Sequence, residues 1–258
     1  MAKNIGSLMS SARTYQEQSQ TSRLTASWSE KTATEYQKIT AHLLADVTPL
    51  AAKEKAINGN ANLSPIGRHD QVKREVQTFT SGLRWLRDEK GTLETKCGNL
   101  FGDLFVLPAS TRNEMVQAMR DAQIWSLIGA LPPTQRDLAY LRFSEADNVE
   151  VMRALQDAPM PLVTDDIRLR GSADRAARLD PQRYQAFIES GQLLDEVAAI
   201  LTDCLNLGAA FGFDVPVSVD ELGPKVRTAL DFAMDHAPSE GHEGTSVRNP
   251  SQEVVEVA

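Results

Sequence analysis

From Val72 to Leu104 an apolar side chain recurs at every third or fourth position: Val72, Val76, Phe79, Leu83, Leu86, Leu93, Cys97, Leu100 and Leu104, with Lys90 filling the one gap. The steps alternate four and three without a slip. That is the a/d register of a heptad helix, and it is incompatible with the period of two that a half-buried strand needs. The stretch amounts to roughly 48 Å of helix at 1.5 Å per residue. Trp85 and Phe101 are the main apolar residues flanking it. The stripe is therefore narrow, as in a coiled-coil seam, rather than the wider face of a helix buried in a globule. Ser64 supplies a cap and Pro65 a first helical residue with φ already set. Gly82, Gly91, Gly98 and Gly102 lie inside, each at a cost of up to about 1 kcal/mol against Ala. A break is expected after Gly91.

The same periodicity organises the rest of the chain. Tyr36, Ile39, Leu43, Val47 and Leu50 form a helical stripe ended by the turn residues of Ile57–Asn62. Thr111 and Glu114 have capping-box spacing, ahead of Met115, Ala118, Ala122, Trp125 and Ile128 on one expected inner face. Asp180-Pro181 opens a second long helix, in which Phe187, Gly191, Leu194, Ala198, Leu201, Leu205 and Gly208 again alternate four and three. Its small residues at 191, 198 and 208 leave room for a close neighbour. Asp220–His236 reads as a last amphipathic helix. The one β-like piece is "FGFDVPVSV".

The expected fold is all-α: a long-helix bundle with a coiled-coil-like heptad seam, short helices and disordered termini. Residues 1–35, rich in Ser, Thr and Gln, read as a polar arm that is mobile or orders only on docking. Residues 36–237 form the helical bundle, and 238–258 a disordered acidic tail.

Charge narrows the function classes. The formal net charge is −8 over 258 residues, and it is uneven: residues 1–110 carry +3 and residues 111–258 carry −11. A protein whose main business is phosphate neutralisation needs the opposite balance. Two widely separated cysteines, Cys97 and Cys204, make neither a disulfide framework nor a zinc cluster, so an intracellular, reducing setting is expected. The N-terminus lacks the apolar run of a secretory signal, and no run of apolar residues is long enough for a membrane span.

The search for chemistry returns little. There is no phosphate-binding loop and no H-E-x-x-H, and the four histidines stand apart from one another. Cys97 falls on the stripe and reads as a buried hydrophobe, and Cys204 likewise. Asp165 and Asp166 have a sufficient role at a helix start. Arg168, Arg170, Arg175, Arg178 and Arg183 are the candidate nucleic-acid contacts, interleaved with Asp165, Asp166, Asp174 and Asp180. No catalytic residue, metal site or cofactor is expected.

"LSPIGRHDQVKREV" (63–76) resembles the "L-S/T-P-x-G-+" helix opening of small helical proteins encoded in the structural-gene regions of tailed bacteriophages. "VEVMRALQDAPMPLV" (149–163) is similar to a second element of such proteins, a short helix ending in "A-P" before Leu-Val. The resemblance covers about 30 residues. It implies a structural or assembly role and no catalytic residues. The expected function is thus a non-enzymatic bacteriophage structural or assembly protein, present in the host cytoplasm during assembly or in the virion. It would self-associate, or dock on other virion proteins, through Val72, Val76, Phe79, Leu83, Leu86, Leu93, Leu100 and Leu104. The alternative is a nucleic-acid-associated helical protein using the arginine cluster.

Overall fold

The computed structural model describes residues 4–21, 27–213 and 222–236, and all regular structure among them is helical. In chain order the helices are α1 (Ile5–Thr21), α2 (Glu30–Gly59), α3 (Pro65–Gly82), α4 (Arg84–Phe105), α5 (Glu114–Gly129), α6 (Pro133–Glu145), α7 (Val149–Gln156), α8 (Asp165–Leu179), α9 (Pro181–Ala210) and α10 (Pro224–Asp235). No helix among the described residues is long and apolar enough to cross a membrane. The β-like "VPVSV" and the 238–258 tail fall outside the described residues.

The main core lies between α9 and the α3–α4 pair. Arg183 pairs with Asp103 at one end, and His69 stacks on Phe211 at the other. The two rods are therefore antiparallel over their length. Between them Val76, Leu83, Leu86, Leu93 and Cys97 meet Phe187, Leu194, Leu201 and Leu205, all in one buried cluster. Val72 and Leu104 are buried in it as well, and Phe79 and Leu100 pack against it partly exposed. The heptad stripe is thus the inner face of the chain's own core. This corrects the expectation of a partner seam for Val72, Val76, Leu83, Leu86, Leu93 and Leu104, whose side chains are buried within the chain's own core; only Phe79 and Leu100 of the eight keep part of their surface exposed.

The long helix is also broken at a different place. Ser64 caps as expected, its Oγ accepting from the Gly67 amide at 3.1 Å. The helical backbone, however, stops at Gly82 and restarts at Arg84, and it runs unbroken through Gly91. Glycine propensity is the same at both sites, so packing decides. Around Gly91 the helix is pinned by buried Leu93 and by a buried ion pair between Lys90 and Glu94 one turn apart. At the break, Leu83 is fully buried and anchors the joint.

The N-terminal arm is the second correction. Residues 5–21 form α1, which folds back along α2 and buries Ile5, Leu8 and Ala12 completely. The apolar groups are few, but their 5, 8, 12 spacing puts them on one face. Polar anchors complete the seat: Tyr15 donates to Asp203 of α9 at 3.0 Å, and Thr40 donates to Ser19 at 3.1 Å. Accordingly α2 starts at Glu30, six residues before the expected start of the bundle.

A second, smaller core gathers Ile128, Tyr140, Met152, Leu155 and Val163 from α5, α6, α7 and the turn before α8. Helix α8 joins the two cores. Its Gly171 faces Tyr140, and its Ala173 and Ala176 belong to the main cluster.

Candidate functional site

Two surfaces have a geometry that core packing does not account for. The first is a groove between α2 and the α3–α4 joint. His42 and Asp46 lie one turn apart on α2, an i,i+4 pair on a common face. Asp46 Oδ2 accepts from the Trp85 indole Nε1–H at 3.1 Å, and the His42 ring stacks on that indole with centroids 4.0 Å apart and planes 14° apart. His42 Nε2 stands 3.9 Å from the same carboxylate oxygen. Lys53 and Glu75 pair across the two helices at 2.7 Å. Pro49, Leu50 and Phe79 supply apolar lining, and the space amounts to about 370 Å³. Proline inside α2 removes one backbone donor there. Trp85 stands in the first turn after the break at Leu83.

The second surface is the outer face of α5. Asn113 starts this helix by accepting from the Met115 amide at 2.9 Å, in place of the expected Thr111 cap. Its inner side holds Ile128 and Ile124 in the second core, and Trp125 Nε1 donates to the Ala154 carbonyl at 2.6 Å. Two arginines tie the helix to α7, where Glu150 receives Arg112 at 2.6 Å and Arg120 at 3.2 Å. This orientation splits the expected inner face: Trp125 and Ile128 pack inward, while Met115, Ala118 and Ala122 are exposed. Met115 is 74% exposed, Met119 63%, Val116 52% and Leu127 71%, and Ala118 and Ala122 are exposed too. Met115, Met119 and Ala122 follow each other by four and three residues, so they line one strip of the surface.

Comparison of the chain with protein-family models, with curated proteins and with solved structures finds no match. What these surfaces do has to be read from their own chemistry.

The arginine cluster resolves into local pairs. Arg168 pairs with Asp165, Arg170 with Asp174 at 3.8 Å, and Arg175 with Asp147 at 2.6 Å. Arg178 donates to the Ser144 carbonyl at 2.9 Å. Arg183 lies 3.4 Å from Asp180 and 3.6 Å from Asp103. Each guanidinium has an acid or a carbonyl beside it, with Arg170 and Arg183 the more exposed of the five.

The buried titratable groups serve packing. Glu189, Gln192, Glu196 and Asp203 share one face of α9 and hold the N-terminal hairpin. Glu189 accepts from the Ser29 amide at 2.9 Å, the Ser29 hydroxyl at 2.6 Å and the Thr32 hydroxyl at 2.7 Å. Trp28 donates to Gln192, and Tyr36 donates to Glu196 at 3.0 Å. Burial pushes the Glu189 carboxyl up, but the hydrogen bonds from Ser29, Thr32 and Gln185 outweigh it and leave it below the ordinary value. Burial, with the charge and hydrogen bond of Glu196 behind it, raises Tyr36. Its hydroxyl stays a donor.

Sequence reasoning missed both surfaces. The signal for the groove was the His42–Asp46 spacing, with Trp85 beyond its reach in sequence. For α5 the apolar positions were legible, but which of them face water was not.

Proposed function

We propose that the chain is a non-enzymatic bacteriophage structural or assembly protein, acting in the host cytoplasm during construction of the particle or within it. It docks on a second copy or on another virion protein through the outer face of α5. The observation that carries this reading is the exposed strip of Met115, Met119 and Ala122, flanked by exposed Val116 and Leu127, on a helix whose opposite side is already packed. Large apolar side chains gathered on one exposed helix face suit an interaction site, and methionine adapts to a partner's shape better than branched side chains do. The resemblance at residues 63–76 and 149–163 supplies the biological setting.

The energetics suit assembly rather than a tight isolated complex. Four side chains half to three-quarters exposed recover on the order of 4–8 kcal/mol when covered. Association costs about 4–15 kcal/mol. A single contact of this size is weak, and becomes useful when many copies bind at once.

Molar mass by light scattering on the full chain tests the reading, with Met119→Asp as the probe and Leu83→Asp as a contrast. The expected result is concentration-dependent association that Met119→Asp abolishes without loss of helix content, whereas Leu83→Asp unfolds the bundle. A wild-type chain that stays monomeric at high concentration, together with its absence from purified particles by mass spectrometry, would overturn the proposal.

A further inference from the structure

The groove beside Trp85 goes beyond the docking face of α5. The two are built on different helices and share no residue, so either can bind without the other. Its charged lining consists of Asp46, Glu75 and Lys53, with His42 alongside. Lys53 and Glu75 cancel each other in a bond of 2.7 Å. That leaves Asp46 as the uncompensated charge when His42 is neutral. One oxygen of Asp46, Oδ2, is taken by the indole hydrogen of Trp85. The carboxylate is therefore fixed in orientation at the edge of an aromatic ring, with Phe79 also in the wall.

A carboxylate held beside aromatic surface in a groove of mixed lining is an arrangement that recognises an organic cation: the charge pairs with the acid while the flat or apolar part lies against Phe79, Pro49 and Leu50, one face of the Trp85 indole being covered by His42. A guanidinium suits it better than a compact ammonium, because it is planar, weakly hydrated and stacks on aromatic faces. An anion would meet two carboxylates against one committed lysine. The space of about 370 Å³ lies at the lower end of the range for small-molecule pockets, ample for one side chain. We infer that the groove formed by Asp46, Trp85, Phe79, Pro49 and Leu50 is a binding site for a guanidinium-bearing side chain, the arginine of a partner protein.

The test uses the full chain and N-acetyl-arginine amide as the probe, followed through the indole N–H resonances of the three tryptophans. Trp85→Phe identifies the relevant signal. The expected result is a saturable shift of the Trp85 resonance alone with the arginine probe. The matching citrulline amide, which has the shape without the charge, should produce none. Asp46→Asn keeps an acceptor for the indole hydrogen and removes the charge, so it should weaken binding tenfold or more while leaving the other two tryptophan signals in place. No saturable shift, equal binding of the citrulline probe, or unchanged affinity in Asp46→Asn would each overturn the assignment.

Discussion

Gly191 of α9 lies directly against Leu230 of α10: a Cβ added to Gly191 would stand 2.6 Å from both Cγ and Cδ2 of the leucine. Leu230 is fully buried, so it cannot swing aside. Gly191→Ala gains up to about 1 kcal/mol in helix propensity but forces the two helices apart, at about 1–3 kcal/mol for overpacking. The net expectation is destabilisation on the order of 1–2 kcal/mol, with a melting temperature lower by roughly 2–4 °C per kcal/mol. Adding Leu230→Ala should cost less in the Gly191→Ala background than alone, because it removes the side chain the new methyl clashes with, and urea unfolding of the double-mutant cycle measures that coupling.

Glu189 makes stability depend on pH. Its carboxyl titrates lower in the folded chain than its ordinary value of 4.5. A depressed folded value means the stabilisation is fully present above the unfolded value and is lost as pH falls through the folded one. Glu189→Gln should therefore cost about 1.5–3 kcal/mol near neutrality, the range for hydrogen bonds to a charged group. The difference from wild type should shrink in acid, below about pH 4. Parallel urea titrations at neutral and acid pH would show it, and a difference independent of pH would refute it.

Neither cysteine should react in the folded chain. Cys97 and Cys204 are both fully buried, and burial pushes the Cys97 thiol up to about 11, with Lys96 only partly opposing it. Thiolate is the reactive form. Alkylation by iodoacetamide at mildly alkaline pH, read by mass spectrometry, should label the chain only once denaturant is added. Rapid labelling under native conditions would contradict the packing of α4 on α9.

Leu83 and Met119 should respond to the same truncation to very different degrees. Leu83→Ala opens a cavity at the α3–α4 joint and should cost about 2–5 kcal/mol. Met119→Ala touches an exposed side chain and should change monomer stability by no more than about 0.5 kcal/mol. Chemical denaturation at low protein concentration separates the two, and similar losses for both would mean that α5 is more deeply packed than its exposure indicates.

Much of the helix layout was legible because caps and periodicity are local properties of the chain. Ser64-Pro65 and Asp180-Pro181 open α3 and α9 where the sequence places them, and Asp180 accepts from the Arg183 amide at 3.0 Å. The register of the 72–104 stripe was also local, and its residues are apolar for the reason the spacing implied: they cover something. What they cover was not local. A narrow stripe is satisfied equally by a second molecule or by the chain's own α9, and only the connection through α5–α8, which returns Pro181 to the end of α4, selects the private core. The same holds for α1, where three apolar residues too sparse to predict order become sufficient once α2 and Asp203 are in place to receive them. The break at Gly82 rather than Gly91, and the outward turn of Met115 and Met119, are likewise tertiary outcomes. Glycines equal in propensity and apolar residues equal in hydropathy are told apart only by the neighbours they meet. Sequence alone therefore determined that this chain is helical and where most helices begin. Tertiary structure decided which faces remain open to water, because burial is a relation between distant segments and is not written in any one of them.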